Sequence, residues 1–226
     1  MRSRKLGTIT IGQAPRPDIT PILDAAIGAE VARLHAGLLD GLAPAEITAR
    51  FAPVAGQPEL ITRLLDGSVV VIDRAAAEAA AAGKLAELED QGCTTILLLC
   101  TGQFASLSCR TAWLVEPDRI VPPAVAALAG DRQVGIIVPL ASQVGSEAGK
   151  WAGLAHPPIY AVASPYGGDD AAVAAAARGL RDQWADLLVM DCMGFVEHHR
   201  RAAAEGADCP VILSNALIAK LTAEVL

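Results

Sequence analysis

The 226-residue chain has no cluster of lysine and arginine, and its formal charge is −7 at pH 7. Nucleic-acid binding depends on cationic contacts to phosphate, so nucleic acid is set aside as a partner. No Cys-x-x-Cys spacing occurs among the five cysteines at positions 93, 100, 109, 192 and 209. An odd number without that spacing argues against a disulfide framework and against a structural metal site such as zinc; free thiols in a reducing, cytoplasmic compartment fit better. No Gly-x-Gly-x-x-Gly follows the first strand and no Gly-x-x-x-x-Gly-Lys-Ser/Thr occurs anywhere. The usual signals of dinucleotide and nucleoside-triphosphate sites are therefore missing, and a mechanism without cofactors is expected. The uncharged stretch Trp151 to Gly168 holds three prolines and a histidine, so it cannot form an apolar spanning helix, and no membrane association is expected. Met1-Arg2-Ser3-Arg4-Lys5 is basic like the first region of a signal peptide. The apolar stretch after it is short and soon meets Pro15, Arg16, Pro17 and Asp18, so an untargeted start is expected.

What the chain has is apolar sequence: 53% hydrophobic residues against 19% charged, the composition of a folded globule large enough for one big or two small domains. Uninterrupted apolar runs at Ile96–Leu99, Val134–Val138 and Leu187–Met190 read as strands buried on both faces, with Leu6–Ile11, Val69–Ile72 and Val211–Leu213 as further strands. Helices are expected from about Asp18, as N-cap, to Arg33, and over Ala75–Glu89 with an interruption at Gly83. Others are expected from near Gly102, over Ala171–Arg181 behind Asp169 or Asp170, and at the C-terminus. Ile120-Val121-Pro122-Pro123 and the alanine-rich Ala124–Ala129 precede the strand at Val134. Buried strands alternating with helices make an α/β protein with parallel sheets.

Two of these strands end in the same way. Ile96-Leu97-Leu98-Leu99-Cys100-Thr101-Gly102 and Leu188-Val189-Met190-Asp191-Cys192-Met193-Gly194 place a thiol before a glycine turn, 92 positions apart. Ile9-Thr10-Ile11-Gly12 and Ile136-Ile137-Val138-Pro139 likewise each enter a loop ahead of one of these segments. Ligands of open parallel sheets bind beyond the carboxyl ends of the strands, so the loops at Gly12, Cys100, Pro139, Cys192 and Ser214-Asn215 are expected to form the site. A lone buried cysteine packs as a small hydrophobe. The repetition is what lends Cys100 and Cys192 a catalytic reading, with Cys192 ahead. A thiolate and a thiol can serve as base and acid at a carbon next to a carboxylate, exchanging roles with the substrate's hand. A free thiol has a pKa of roughly 8.5 and is lowered at a helix N-terminus, the position expected for Thr101-Gly102 and Met193-Gly194.

Other candidates follow from residue type. Amides at Gly102 and Gly194 can hold a carboxylate, and Gln13, Thr101, Gln103, Ser214 and Asn215 can add hydrogen bonds. Arg16 either faces an anionic substrate or is a solvated loop arginine. Glu197-His198-His199-Arg200-Arg201 reads as a polar helix face, because two adjacent histidines without a third ligand make a poor metal site. His198 is retained as a group behind Cys192, together with Asp191. Tyr166-Gly167-Gly168-Asp169-Asp170 reads as a loop and helix cap, or as a lid. Arg110 and Arg119 are expected in ion pairs, and Cys93, Cys109 and Cys209 as structural.

Over nearly its whole length the chain resembles the AroM family, related to the aspartate/glutamate/hydantoin racemase superfamily. The resemblance is carried by Thr8-Ile9-Thr10-Ile11-Gly12, Phe51-Ala52-Pro53, Glu116-Pro117-Asp118-Arg119-Ile120, Val134-Gly135-Ile136-Ile137-Val138-Pro139, Asp191-Cys192-Met193-Gly194-Phe195 and Leu213-Ser214-Asn215-Ala216-Leu217-Ile218-Ala219. It implies two pseudo-symmetric α/β lobes with the site in a cleft between them, here 1–113 plus 211–226 and 114–210. It also implies one catalytic cysteine from each lobe acting on a small carboxylate. Amino-acid racemases of the superfamily carry Asp-Ser-Gly at the first strand end and Asn-Thr and Thr-His after the two cysteines; this chain has Ile11-Gly12-Gln13, Thr101-Gly102 and Met193-Gly194. A carboxylate without an amino group is therefore as good a substrate as an amino acid. The expected activity is a cofactor-independent racemase or isomerase. The alternatives are a single-cysteine decarboxylase or cis/trans isomerase using Cys192, or a carboxylate-binding or regulatory protein. The sequence leaves the oligomeric state open, a homodimer being a common assembly of such folds by symmetry.

Overall fold

A computed structural model describes residues 4–28, 30–146, 149–168 and 170–226. The strands fall into two parallel sheets. β1 (Lys5–Thr10), β2 (Ala32–Gly37), β5 (Thr95–Leu99) and β6 (Trp113–Val115) lie in the order β2-β1-β5-β6. β3 (Glu59–Arg63) and β4 (Val69–Asp73) form a separate antiparallel hairpin. β7 (Val134–Val138), β8 (Ile159–Val162), β9 (Leu187–Met190) and β10 (Val211–Leu213) lie in the order β8-β7-β9-β10. The second sheet thus repeats the first strand for strand. The helices are α1 (Thr20–Ile27), α2 (Pro44–Phe51), α3 (Arg74–Asp90), α4 (Pro117–Ala129), α5 (Gln143–Ser146), α6 (Asp170–Arg181), α7 (Glu197–Ala207) and α8 (Ser214–Ala223).

The chain divides into two compact units, Met1–Pro117 with Ala219–Leu226, and Asp118–Ile218. The expected boundaries put 211–226 with the first lobe, but β10 pairs with β9 in register, Val211 opposite Leu188, which carries 211–218 into the second unit. In the first unit Ile96, Leu98 and Cys100 share one sheet face and pack with Ala77, Ala81, Leu85 and Leu88 of α3. Leu188, Met190 and Cys192 do the same in the second, against Val173, Ala177 and Leu180 of α6 and Ala203 and Ala207 of α7. The two-residue period of a strand places each thiol on the same face as alternate core residues.

The apolar runs at β5, β7, β9 and β10 stand where the sequence put them. Several other elements differ, each for a physical reason. The helix expected to Arg33 ends at Ile27, because Gly28 takes φ 87°. Ala32–Gly37, rich in helix formers, is a strand because its backbone pairs with β1 along six residues. Asp18 does not cap α1; the N-cap is Ile19 and the Asp18 carboxylate binds Arg16. Val69–Ile72 is a strand, but of the hairpin. Gly83 does not interrupt α3, whose first turn is capped by Asp73 accepting the Ala76 N–H. α4 runs straight through Pro122 and Pro123.

No helix follows Gly102. Residues 101–112 are irregular because carboxylates of α3 bind their backbone instead: Glu78 accepts Ser106 N–H at 2.6 Å, and Glu89 accepts Arg110, Thr111 and Ala112 N–H at 3.0, 2.6 and 2.9 Å. Those bonds, led by Arg110 and Ala112, hold Glu89 down at about 2. The short edge strands β6 and β8 were not read from the sequence. Asp169, the alternative cap of α6, and Met1 to Ser3 of the basic start lie outside the described residues.

Helix α7 approaches α6 so closely that a β-carbon at Gly206 would run into the Ala174 carbonyl. Gly206→Ala gains roughly 1 kcal/mol of helix propensity but forces backbone apart. It is expected to destabilise the protein by about 1–2 kcal/mol net in urea unfolding.

Candidate functional site

Each thiol lies just past the second of its sheet's two central strands. Cys100 follows β5 directly and is 6% exposed; Cys192 follows β9 with Asp191 interposed and is 8% exposed. Gly102 N–H donates to Cys100 Sγ at 3.3 Å, and Gly194 N–H donates to Cys192 Sγ at 3.5 Å. The same i to i+2 turn thus occurs in both units. An amide aimed at sulfur favours the thiolate. The donor is a turn amide rather than the helix N-terminus expected from the sequence, since no helix follows Cys100 and α7 begins only at Glu197. The remaining thiols are pushed the other way. Burial raises Cys93 and Cys209, and raises Cys109 to about 11 with help from Glu89 and Glu116.

In the first unit the loop after β1 is braced by the hairpin. A β-carbon at Gly12 would lie 2.5 Å from the Arg63 carbonyl oxygen, so only glycine fits. Gln13, a candidate ligand by sequence, has both ends of its amide engaged: Nε2 donates to Leu39 O at 3.2 Å and Oε1 accepts Leu65 N–H at 2.9 Å. It is a clasp between loops. Arg16 is not the solvated arginine of one reading; it is buried, with Nε and one terminal nitrogen on the two Asp18 oxygens at 2.9 and 2.6 Å. Its other terminal nitrogen donates to Thr10 Oγ1, which also accepts Gly12 N–H. Arg16, Asp18 and Arg63 line a cavity of about 320 Å³. Thr101 is buried and Gln103 half-buried.

In the second unit, Pro139 and Met193 are buried. Ser214 and Asn215, at the start of α8, have no exposed surface. Asn215 Nδ2 donates to Met193 O at 3.0 Å and Phe195 O at 2.6 Å, fastening the segment after Cys192. Ser214 Oγ and Asn215 Oδ1 find no partner among the described residues, although burying such atoms unpaired is costly. Asp191 accepts from Lys150 Nζ at 2.5 Å, with the two side chains 2% and 1% exposed. Asp118 lies close enough to this pair to feel both charges; burial raises its pKa, opposed by Lys150 and Arg119. Lys150, Asp118 and Tyr166, whose hydroxyl sits on Gly194, were not identified as site residues from sequence.

His198, expected behind Cys192, is exposed and bonded to Asp170 at 2.8 Å, a partner the sequence did not show. Asp170, His198 and His199 do bring three ligand atoms within 4.8 Å, a third group the sequence reading lacked. His199 Nδ1, however, accepts Val196 N–H at 3.0 Å, which leaves the proton of the neutral ring on Nε2 and no lone pair for a metal. Arg110 is ion-paired with Glu89 and Asp90, as expected.

Two measurements test this geometry. Burial, reinforced by His198, lowers His199 to about 4 from 6.5. The unfolded chain therefore binds the extra proton first, so stability is complete above about 6.5 and falls as pH drops toward about 4. His199→Gln is expected to flatten that dependence in denaturation curves taken across the window. Lys150→Met removes the buried ammonium 2.5 Å from the Asp191 carboxylate and is expected to cost about 3–5 kcal/mol. Adding Asp191→Asn should recover most of the loss, as read from a double-mutant cycle.

With this geometry in place, comparison with known proteins is informative. The structure resembles the aspartate racemase of Picrophilus torridus (TM-score 0.60, 15% identity, 98% of this chain and 94% of that one). It also resembles the glutamate racemase of Francisella tularensis solved with D-glutamate (TM-score 0.63, 14% identity, 100% and 82%). An unliganded arylmalonate decarboxylase is similar as well (TM-score 0.60, 12% identity, 99% and 92%). At these identities the likeness is one of fold. No curated protein matches the sequence. The family described as AroM protein matches residues 6–226, and the chain belongs to the AroM family.

Proposed function

We propose that the protein is a cofactor-independent racemase or isomerase of a small carboxylate, with Cys100 and Cys192 as its acid/base pair. One observation carries the reading. In two sheets of identical strand order, the second central strand runs into a turn whose cysteine sulfur accepts the amide of the glycine two residues on. Racemisation needs a base on one face of a carbon and an acid on the other. A thiolate takes the proton from the carbon next to the carboxylate, leaving an enolate-like anion. A thiol returns a proton to the opposite face, and the two sulfurs finish with their protonation exchanged. Ser214 Oγ, buried and without a described partner, is a ready donor to the carboxylate. Among Gln13, Arg16, Thr101, Gln103 and Asn215, the buried Thr101 and half-buried Gln103 beside Cys100 are kept as further side-chain ligands. The others brace loops. The similarity in fold to aspartate and glutamate racemases supports the reaction class and leaves the substrate open.

A second reading, a decarboxylase or isomerase relying on Cys192 alone, is favoured by a difference between the turns: Gly102 lies under Leu60, Gly194 under Tyr166. Solvent-deuterium exchange followed by NMR over pools of mono- and dicarboxylic acids tests both. Exchange at an α-carbon, lost in both Cys100→Ser and Cys192→Ser by about a hundredfold or more, is the expected result. Loss only in Cys192→Ser would favour the single-thiol reading. No exchange with any pool, together with slow alkylation of both thiols, would leave a carboxylate-binding protein as the better account.

A further inference from the structure

The two thiol turns share a hydrogen-bond pattern but not a neighbour. A β-carbon on Gly102 would lie 2.6 Å from Leu60 Cδ2, a methyl group of hairpin strand β3. A β-carbon on Gly194 would lie 2.6 Å from the Tyr166 hydroxyl oxygen and 2.7 Å from the ring carbon bearing it. Tyr166 belongs to the segment after β8, and β7 separates β8 from β9 in the sheet. The segment after β8 thus brings the Tyr166 side chain onto the turn whose amide donates to Cys192 Sγ. Two elements meet at Gly194: the amide on sulfur and the phenol on the backbone.

We propose that Tyr166 is a positioning residue that makes the two thiols unequal. Its hydroxyl supports the thiolate of Cys192 by hydrogen bonding, a service Leu60 cannot render to Cys100. Cys192 is then the resting base, and Cys100 the resting acid. This rests on the reading of both cysteines as acid/base groups. No proton leaves the phenol; it donates a hydrogen bond as charge develops on sulfur, and such bonds to charged acceptors are the stronger kind. Charged and titratable groups among the described residues also lie on the elements near Cys192. Asp191 is held by Lys150, Asp118 and Arg119 stand beside that pair on α4, His199 on α7 is kept neutral by burial, and His198 faces Asp170. Leu188, Met190 and Cys192 share one sheet face, which puts Asp191 and Lys150 toward the other.

The test is alkylation of the full-length protein with iodoacetamide as a function of pH, with each cysteine followed separately by peptide mass. In the wild type, Cys192 is expected to react with a lower pH midpoint than Cys100. Tyr166→Phe keeps the ring on Gly194 and removes only the hydroxyl. It should raise the Cys192 midpoint by about one pH unit, roughly a tenfold slower reaction below the midpoint, and leave Cys100 unmoved. Gly194→Ala puts a methyl where the hydroxyl sits and displaces Tyr166, so it should give the same upward shift with the tyrosine intact. Leu60→Ala should speed Cys100 at every pH without moving its midpoint. An unshifted Cys192 in folded Tyr166→Phe and Gly194→Ala proteins, or equal shifts at both thiols, would overturn the proposal. That failure is separable from failure of the racemase reading, which is decided by α-carbon exchange in the cysteine variants and not by Tyr166.

Discussion

The structure depends on the burial of its central strands from both sides. β5, β7 and β9 are buried at every position and apolar at all of them but Thr95, which leaves little room for polar chemistry within these strands. Reactive and hydrogen-bonding groups are expelled to the strand ends. Within each sheet the parallel direction sends every carboxyl end the same way, and the loops after β5 and β9 carry the thiol turns. The repeat of the strand order in the second unit then places a second thiol at the equivalent edge without any further requirement.

What shapes those loops is a small number of carboxylates and amides that bind backbone. Glu89 and Glu78 on α3 draw in the segment after Cys100 and keep it from becoming a helix. Gln13 joins the loop after β1 to the hairpin, and Asn215 fastens the chain beyond Cys192. Each satisfies donors or acceptors that irregular backbone would otherwise leave unpaired. The buried Lys150–Asp191 pair does the same work with charge. Its cost of desolvation is offset only while both partners are present. These devices fasten the segments on either side of the thiol turns.

Much of the fold was legible in the chain. The strands at 95–99, 134–138, 187–190 and 211–213 announce themselves because a sheet buried on both faces demands unbroken apolar sequence. The edge strands β2, β6 and β8 do not, since they are half-exposed, short or mixed in composition and owe their conformation to a neighbour's hydrogen bonds. The pair of cysteines was likewise visible as a repeated segment. Gln13 and Arg16 were visible as residue types able to bind a carboxylate, but their actual partners, Leu39, Leu65 and Asp18, were not.

The sequence by itself determined the parallel α/β class and put Cys100 and Cys192 at matching strand ends, because hydrophobic period and turn chemistry act within a few residues. Only the tertiary structure decided what meets each thiol turn: Leu60 over Gly102, and Tyr166 over Gly194. It alone also joined Lys150 to Asp191 across 41 positions and Leu65 to Gln13 across 52. Contacts at such separations are chosen by how helices and loops pack on the finished sheets, and no local pattern in the chain encodes them.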